Sequence, residues 1–318
     1  MAVMRAWVSS LHDRATWRKD AVAGLVLGVE SVPDGLAGGL LAGVNPVYGL
    51  YGYMLGTITG ALFTSATFMA VQATGAMAIV VADVPQVQAN EDPNRALFTL
   101  AILTGVVMLA AGLFKLGSLL RWVSRSVMVG FINAGGVNII LGQLNDFSGY
   151  QAEGGNRVVR AIDLLLNLGQ AHSPTVAIGT GTIVLILVLE RTRLGALGMV
   201  LAIILTSATV FVFDMQIDQL RTITAVPGSL PLPTLPDISI AFSLVVPAIA
   251  LAFVGLVQGA GITTAMPNPD GTYADASRDF IGQGAGNVAS GLFSGMPVGG
   301  SMSASSLVKA AGARSKLA

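Results

Sequence analysis

Cysteine is absent from this 318-residue sequence, and charged residues make up only 11% of it. A soluble globular protein averages about 25% Asp, Glu, Lys and Arg. The lack of cysteine excludes disulfides, thiol nucleophiles and Cys-ligated zinc. The only histidines, His12 and His172, are far apart in the sequence and have no cluster of other ligands beside them, so no metal site is expected. The formal net charge of zero excludes the basic face that nucleic-acid-binding proteins need.

Apolar residues and glycine are abundant instead. The sequence is 53% hydrophobic and contains 39 glycines, and its mean hydropathy is +0.73. Long apolar runs with brief polar connections leave no stretch for a water-soluble domain of the usual size. Small residues let transmembrane helices approach one another closely. No nucleophile with a neighbouring base is visible, so an enzyme is not expected. The sequence therefore predicts an all-α, multi-pass membrane protein.

Charged or Pro/Gly-rich borders divide the apolar runs into ten predicted spans. A helix needs about 20 apolar residues to cross the hydrocarbon core, and the third and tenth spans are too short to cross alone. The predicted spans are 21–44, 47–66, 73–84, 96–114, 127–144, 175–189, 195–213, 240–265, 280–296 and a tenth from 301. Residues 158–168 have the apolar spacing of an interfacial helix.

These spans predict a domain organisation. Residues 1–20 form a cytoplasmic amphipathic segment, residues 21–226 a first transmembrane repeat, residues 227–239 a Pro-rich external linker and residues 240–318 a partial second repeat. Most of the 17 Lys and Arg residues then fall on the side of the N-terminus. Basic residues in short loops stay on the cytoplasmic side. We therefore expect a plasma-membrane protein with its N-terminus in the cytoplasm.

Two segments in the predicted repeats have the same layout. Gly56–Ser65 reads GTITGALFTS, and Gly286–Gly295 reads GNVASGLFSG. Each segment ends a span and precedes a short loop and a small-residue helix start. The odd number of spans between them gives the two units opposite orientation, as in inverted-repeat transporters; chance similarity in an apolar sequence is the alternative. Paired half-helices would direct their N–H groups into one cavity, which suits an anion.

Polar residues within the spans mark candidate sites because they are costly in lipid. Glu30 and Asp34 lie on one helical face beside Pro33, as a cation or proton site would require. Alternatively, one of these acids caps a broken helix or pairs with a polar neighbour. Gln258 in the eighth span either contacts a substrate or satisfies helix carbonyls, and the sequence leaves both alternatives open.

Three segments resemble one family, the sulfate permease (SulP) family, whose members are relatives of solute carrier family 26. Residues 32–51 (VPDGLAGGLLAGVNPVYGLY) are similar to its first-span signature. Residues 130–144 (GFINAGGVNIILGQL) resemble its fifth span, and residues 299–314 (GGSMSASSLVKAAGAR) resemble its tenth. The resemblance follows the whole chain in order.

The resemblance implies a fold of fourteen elements in two inverted sevens. Elements one to four and eight to eleven form a core domain that moves against a gate domain. Homodimers and a cytoplasmic STAS domain after the membrane part are also implied. This chain holds the first repeat and elements 8 to 10 of the second, so it is expected to be a fragment that lacks elements 11 to 14.

The resemblance also implies the site residues. The implied substrate-binding residues are Asp34, Gly38, Thr74, Gly75, Ala76, Gln258, Gly300, Ser301 and Ser303. The expected coupling residues are Glu30 and Asp34, because they are carboxylates within the first predicted span. The chain departs from the family's common residues, which are Gln at Asp34, an aromatic at Gly38, Pro at Ala76, Glu near Gln258 and Arg at Ala304. These departures make the pocket less positive, so a dianion would need a co-transported cation.

The expected function is secondary active transport of a small inorganic anion by alternating access, with sulfate first and bicarbonate second. The expected partners are the anion, membrane lipids and a second copy of the chain. No cofactor is expected beyond a coupling ion, H⁺ or Na⁺. The rivals are an anion channel, a non-transporting membrane scaffold and a nucleobase carrier of the same architecture; the last would favour Glu where Gln258 stands.

Overall fold

The computed structural model describes residues 14–118, 125–154, 156–192, 194, 197–215, 217 and 230–318. Most of the predicted N-terminal segment and the start of the Pro-rich linker lie outside these residues. The chain divides into two compact units, one of Met1–Ile132 with Val226–Ala318 and one of Asn133–Ala225. The first unit therefore contains segments from both predicted repeats.

Helices form at each of the predicted spans, because a backbone in lipid must satisfy its own N–H and C=O groups. The helices are α1 (Arg14–Leu41), α2 (Pro46–Phe63), α3 (Gly75–Ala82), α4 (Pro85–Gln88), α5 (Pro93–Leu113), α6 (Arg125–Ser148), α7 (Arg157–Leu166), α8 (Ser173–Glu190), α9 (Leu197–Val212), α10 (Ala241–Ala265), α11 (Ala276–Leu292) and α12 (Met302–Ala310). Four of them, α1 from Thr16, α5, α8 and α10, are long and apolar enough to cross a membrane alone.

Two short strands, which the sequence reading did not anticipate, precede the two shortest predicted spans. Strand β1 (Ala70–Gln72) leads into α3, and β2 (Gly299–Ser301) leads into α12. The strands pair antiparallel, with Val71 opposite Gly300. A strand of three residues is too short to produce a recognisable alternation of apolar and polar residues, so the sequence carries no signal for it.

Glycines allow the helices of the first unit to pack backbone against backbone. A Cβ on Gly105 of α5 would lie 2.6 Å from the carbonyl oxygen of Gly284 on α11, and a Cβ on Gly284 would lie 2.9 Å from that of Gly105. Gly39 on α1 meets Pro46 on α2 just as closely, at 2.6 Å between the added Cβ and Cα. The excess of glycine is therefore largely a packing requirement.

The two similar segments of the sequence lie against each other. A Cβ on Gly286 of α11 would be 3.5 Å from the Cα of Gly56 on α2. The helices that contain them are each followed by a short strand and then a short helix, and the strands pair with each other. This arrangement is the inverted-repeat architecture, and chance similarity is no longer needed to explain the two segments.

The second unit contains most of α6 and all of α7, α8 and α9. Helix α7 matches the predicted interfacial helix, and its N-cap Asn156 accepts a hydrogen bond from the Val159 N–H at 3.0 Å. Leu165 and Leu166 on α7 are 65% and 79% exposed. An exposed apolar face beside a polar one is the character of a helix that lies in the membrane interface.

One buried carboxylate joins three elements of the first unit. Asp279 of α11 is 1% exposed. Its Oδ1 accepts hydrogen bonds from the N–H of Ser65 at 2.6 Å, the hydroxyl of Ser65 at 2.8 Å and the N–H of Ala66 at 3.0 Å. Its Oδ2 accepts from the Thr263 hydroxyl on α10 at 2.9 Å. Asp279 thereby anchors the end of α2 to α10 and α11.

We expect Asp279→Ala to lower the thermal stability of the purified protein, because it leaves buried donors unpaired. Each hydrogen bond to a charged group contributes about 1.5–3 kcal/mol. The melting temperature in detergent measures the loss. Asp270→Ala is the matched control, because Asp270 bonds only within its own turn, to Thr272. Equal melting temperatures for Asp279→Ala and the wild type would contradict the anchoring role.

Candidate anion site at the paired half-helices

Helices α3 and α12 both begin inside the first unit and carry hydroxyl N-caps. Thr74 Oγ1 accepts a hydrogen bond from the Met77 N–H at 3.3 Å, and Ser301 Oγ accepts from the Ala304 N–H at 3.3 Å. The first N–H groups of a helix have no partner within it. Hydroxyl caps therefore satisfy one donor at each helix and leave the preceding ones available.

Three of the four residues that carry the available donors, Gly75, Ala76 and Ser303, are predicted substrate-binding residues. At α3 they are the N–H groups of Gly75 and Ala76, which are half-buried, and at α12 those of Met302 and Ser303, which are exposed. The Ser303 hydroxyl lies 3.1 Å from the Ser301 hydroxyl. Free N–H groups at the positive end of the helix dipole favour an anion without any cationic side chain.

Gln258 of α10 contacts the start of α3. Its Oε1 accepts a hydrogen bond from the Thr74 hydroxyl at 3.0 Å. Among the residues that the structure describes, none accepts a hydrogen bond from its Nε2, and the side chain is half-buried. Gln258 therefore does not satisfy a helix carbonyl, and its amide N–H₂ group is available as a further neutral donor beside the α3 N-terminus.

Glycines bring the other predicted residues to the same place. A Cβ on Gly38 of α1 would be 3.5 Å from the Ala73 carbonyl oxygen. A Cβ on Gly299 would be 3.5 Å from Gln258 Oε1, and one on Gly300 would be 3.0 Å from the Cα of Gly259. The structure thus gathers Gly38, Thr74 and Gln258 around the end of the strand pair. Ser301 and Ser303 contact each other at the start of α12.

Two buried amides of α11, Gln283 and Asn287, hold strand β2, and the sequence reading missed both. Gln283 Oε1 accepts a hydrogen bond from the Gly300 N–H at 3.1 Å. The Asn287 side chain accepts from the Val298 N–H at 2.9 Å and donates to the Val298 carbonyl oxygen at 2.6 Å. Their spacing of four residues in an apolar span was the available signal, since polar side chains there need partners.

The two acids of α1 occupy different environments, although the sequence places them on one helical face. Asp34 is exposed, and its Oδ2 accepts a hydrogen bond from the Tyr53 hydroxyl on α2. Glu30 is 6% exposed, and its Oε2 has no hydrogen-bond partner. Of the two alternatives, pairing with a polar neighbour describes Asp34, whereas Glu30 remains a candidate cation or proton site.

A large cavity lies elsewhere in the first unit. It has a volume of about 1210 Å³, and Leu62, Lys115, Thr264 and Arg278 are among its lining residues. None of the candidate site residues lines it. The candidate site is therefore defined by helix starts and strand contacts and not by this cavity.

Comparison with known proteins places this geometry in a family. The sequence model of the sulfate permease family matches residues 17–318. The putative sulfate transporter YbaR of Bacillus subtilis (strain 168) is 29% identical over 283 residues, which are 88% of this chain and 54% of that protein. The chain spans about half the length of this relative.

Solved structures share the fold. The transmembrane domain of a cyanobacterium bicarbonate transporter, BicA, superimposes with a TM-score of 0.82 at 23% identity, over 96% of this chain and 80% of that one. The murine solute carrier 26 family member A9, an anion transporter solved in the inward-facing state, gives a TM-score of 0.83 at 20% identity, over 99% and 56%. These likenesses confirm the predicted fold class, an inverted-repeat membrane fold with elements of both repeats.

The family model covers almost the whole chain, and the helices, the inverted repeat and the solved folds agree with it. Because this family is one of permeases, the same match confirms the expectation that the chain is not an enzyme. The chain belongs to the sulfate permease family.

Proposed function

We propose that the protein is a secondary active transporter of a small inorganic anion that works by alternating access. The observation that carries this proposal is the pair of half-helices, each capped by a hydroxyl and joined through a strand pair. Unpaired N–H groups at two interrupted helices form an anion site at the depth where transporters of this architecture bind substrate.

The proposed substrates are sulfate first and bicarbonate second. The donors around the helix starts are neutral: backbone N–H groups, the Ser303 hydroxyl and the Gln258 amide. An oxyanion with several acceptor oxygens can accept from many neutral donors at once. YbaR is described as a putative sulfate transporter and BicA as a bicarbonate transporter, which supports both substrates.

The charge of the anion requires compensation. A dianion moved into a membrane cavity that has only neutral donors carries a large desolvation cost. A cation that enters with the anion reduces this cost. Coupling to H⁺ or Na⁺ through Glu30 or Asp34 therefore completes the proposal, because these are the carboxylates of the first predicted span, residues 21–44.

The two ends of the first unit differ in charge, which supports a cytoplasmic N-terminus in the plasma membrane. One end carries Arg18, Lys19, Lys115, Arg278, Lys309, Arg314 and Lys316, together with Asp20, Asp270, Asp275 and Asp279. The other end carries Asp83, Glu91, Asp92 and Asp237 with Arg95. Basic residues remain on the cytoplasmic side. A second copy of the chain is the proposed partner, as a homodimer.

Labelled sulfate uptake into proteoliposomes tests the function. We expect sulfate accumulation driven by an imposed proton or sodium gradient, and competition by bicarbonate that is stronger than by chloride. Current that is linear with voltage and needs no counter-ion would instead indicate a channel. Inhibition by a nucleobase would favour the nucleobase carrier, and the absence of any anion flux would favour a scaffold.

We expect Thr74→Val to raise the KM for sulfate about tenfold, because it removes both the cap of α3 and the hydrogen bond to Gln258; a tenfold change corresponds to about 1.4 kcal/mol. Thr74→Ser, which keeps the hydroxyl, should restore the wild-type KM. Thr182→Val is the control, since the Thr182 hydroxyl bonds to the Ile178 carbonyl oxygen of its own helix. An unchanged KM in Thr74→Val would exclude Thr74 from the site.

Cysteine labelling tests the orientation, and the natural sequence is suited to it because it has no cysteine. Ser118 and Ser239 are exposed and lie at opposite ends of the first unit. A membrane-impermeant thiol reagent applied to intact cells should modify Ser239→Cys and leave Ser118→Cys unmodified until the cells are opened. The reverse pattern would place the N-terminus outside.

A further inference from the structure

Three buried side-chain atoms of the described residues have no hydrogen-bond partner: Glu30 Oε2, Gln72 Oε1 and Gln283 Nε2. Leaving a polar group unpaired in a buried environment costs about 1–3 kcal/mol, and more when the group is charged. Two of the three atoms are acceptors, on α1 and on β1. Such a pair of unsatisfied oxygens requires a donor or a cation.

The two acceptors are connected through Ser31, the neighbour of Glu30 on α1. Gln72 Nε2 donates a hydrogen bond to the Ser31 hydroxyl oxygen at 3.1 Å. The Gln72 amide therefore lies against α1 at the residue that follows Glu30. Gln72 is 0% exposed and Glu30 is 6% exposed, so water does not reach either side chain freely.

No cationic side chain among the described residues compensates Glu30. The ionisable groups that act on it electrostatically are Asp34 on its own helix and Tyr53 on α2. The Tyr53 hydroxyl donates to Asp34. Helix α12, which also packs against α1, carries Lys309, whose Nζ lies over the ring of Phe68, 5.8 Å from its centroid.

Helix α3 also packs against α1, and it has no ionisable residue between Gly75 and Ala82. Its C-cap is Asp83, a further acid. The ionisable groups shown to act on Glu30 are thus one acid, Asp34, and the tyrosine engaged with it. The carboxylate form of Glu30 has neither a counter-charge nor a donor for Oε2.

We propose that Glu30 and Gln72 form a proton-binding site, in which protonated Glu30 donates its Oε2–H to Gln72 Oε1. One proton adds to the carboxylate, which becomes a neutral carboxylic acid, and no other bond forms or breaks. This single event removes the buried charge and pairs both unsatisfied oxygens. Asp34 does not need a proton for this purpose, since Tyr53 already supplies its donor.

The proton site would supply the coupling step of the proposed transport, and its role in transport rests on that proposed function. Gln72 lies opposite Gly299 in the strand pair and two residues before the α3 cap, Thr74. A proton on Glu30 fixes the Gln72 side chain and hence the strand that presents the α3 N–H groups. Linkage requires that an anion bound there favours the protonated form of Glu30 by the same free energy. Glu30 is thus assigned as the coupling residue, and Asp34 is not.

Infrared difference spectroscopy of the purified protein, recorded between high and low pH, tests the site without any transport. We expect the C=O stretch of a buried protonated carboxyl in the wild type, its loss in Glu30→Gln and its retention in Asp34→Asn. In Gln72→Leu the band should move to higher frequency, because the carboxyl O–H has lost its acceptor. A band that persists in Glu30→Gln, or that disappears in Asp34→Asn, would overturn the assignment.

Glu30→Gln is expected to fold, because its amide N–H₂ can donate to Gln72 Oε1 as the protonated acid does. Its melting temperature should equal or exceed that of the wild type at high pH. Glu30→Asp provides a second variant that keeps a titrating carboxyl and should keep a band. A wild-type band that sodium abolishes at constant pH would show that Na⁺ occupies the site and would also overturn the assignment to a proton.

Proteoliposomes separate this inference from the proposed function. Glu30→Gln should lose accumulation driven by a proton gradient but keep sulfate exchange across the membrane, and the control Thr182→Val should keep both. If Glu30→Gln keeps gradient-driven accumulation, the coupling role fails while the transport function stands. If the wild type transports no anion but shows the Glu30 band, the proton site stands and the proposed function fails.

Discussion

The structure depends on how two helices that start within a membrane protein satisfy their backbone. A chain that interrupts a helix in lipid exposes N–H and C=O groups that have no water to bond. Strands β1 and β2 resolve this by pairing with each other. The Thr57 hydroxyl on α2 donates a hydrogen bond to the Val71 carbonyl oxygen. The Asn287 amide on α11 donates one to the Val298 carbonyl oxygen. The protein itself thereby bonds the backbone at the interruptions, and unpaired backbone N–H groups remain at the helix starts.

This requirement explains the composition. A strand pair in the middle of a helical unit can be reached only if the surrounding helices approach without side chains, so glycine occupies the contacts on α1, α10 and β2. Gly259 and Gly300 meet backbone to backbone, and α5 and α11 meet through Gly105 and Gly284. The low content of charged residues has a related cause, because the buried polar contacts of α11 with β2 use neutral amides. The buried acid of α11, Asp279, is held by four hydrogen-bond donors.

The predicted spans agree with the helices because charged residues, proline and glycine mark the ends of the apolar runs in the sequence. The two similar segments predicted the repeat because the residues that permit close packing, Gly56 and Gly286, recur in sequence. The strands and the amide partners of β2 could not be predicted, since Gln283 meets Gly300 only through tertiary packing. A spacing of four residues placed Glu30 and Asp34 on one face, but Tyr53 on another helix decides which of them is paired.

The two candidate sites have opposite deficits. The starts of α3 and α12 offer donors with no acceptor, whereas Glu30 and Gln72 offer acceptors with no donor. An anion bound alone at the helix starts shares a low-dielectric environment with the uncompensated carboxylate of Glu30, which is costly. Filling both together brings in an anion and a proton, and β1 connects them, since Gln72 and the α3 cap Thr74 are separated by one residue. Joint occupancy is therefore lower in free energy than the sum of the separate events, and this difference is the physical requirement for coupled transport.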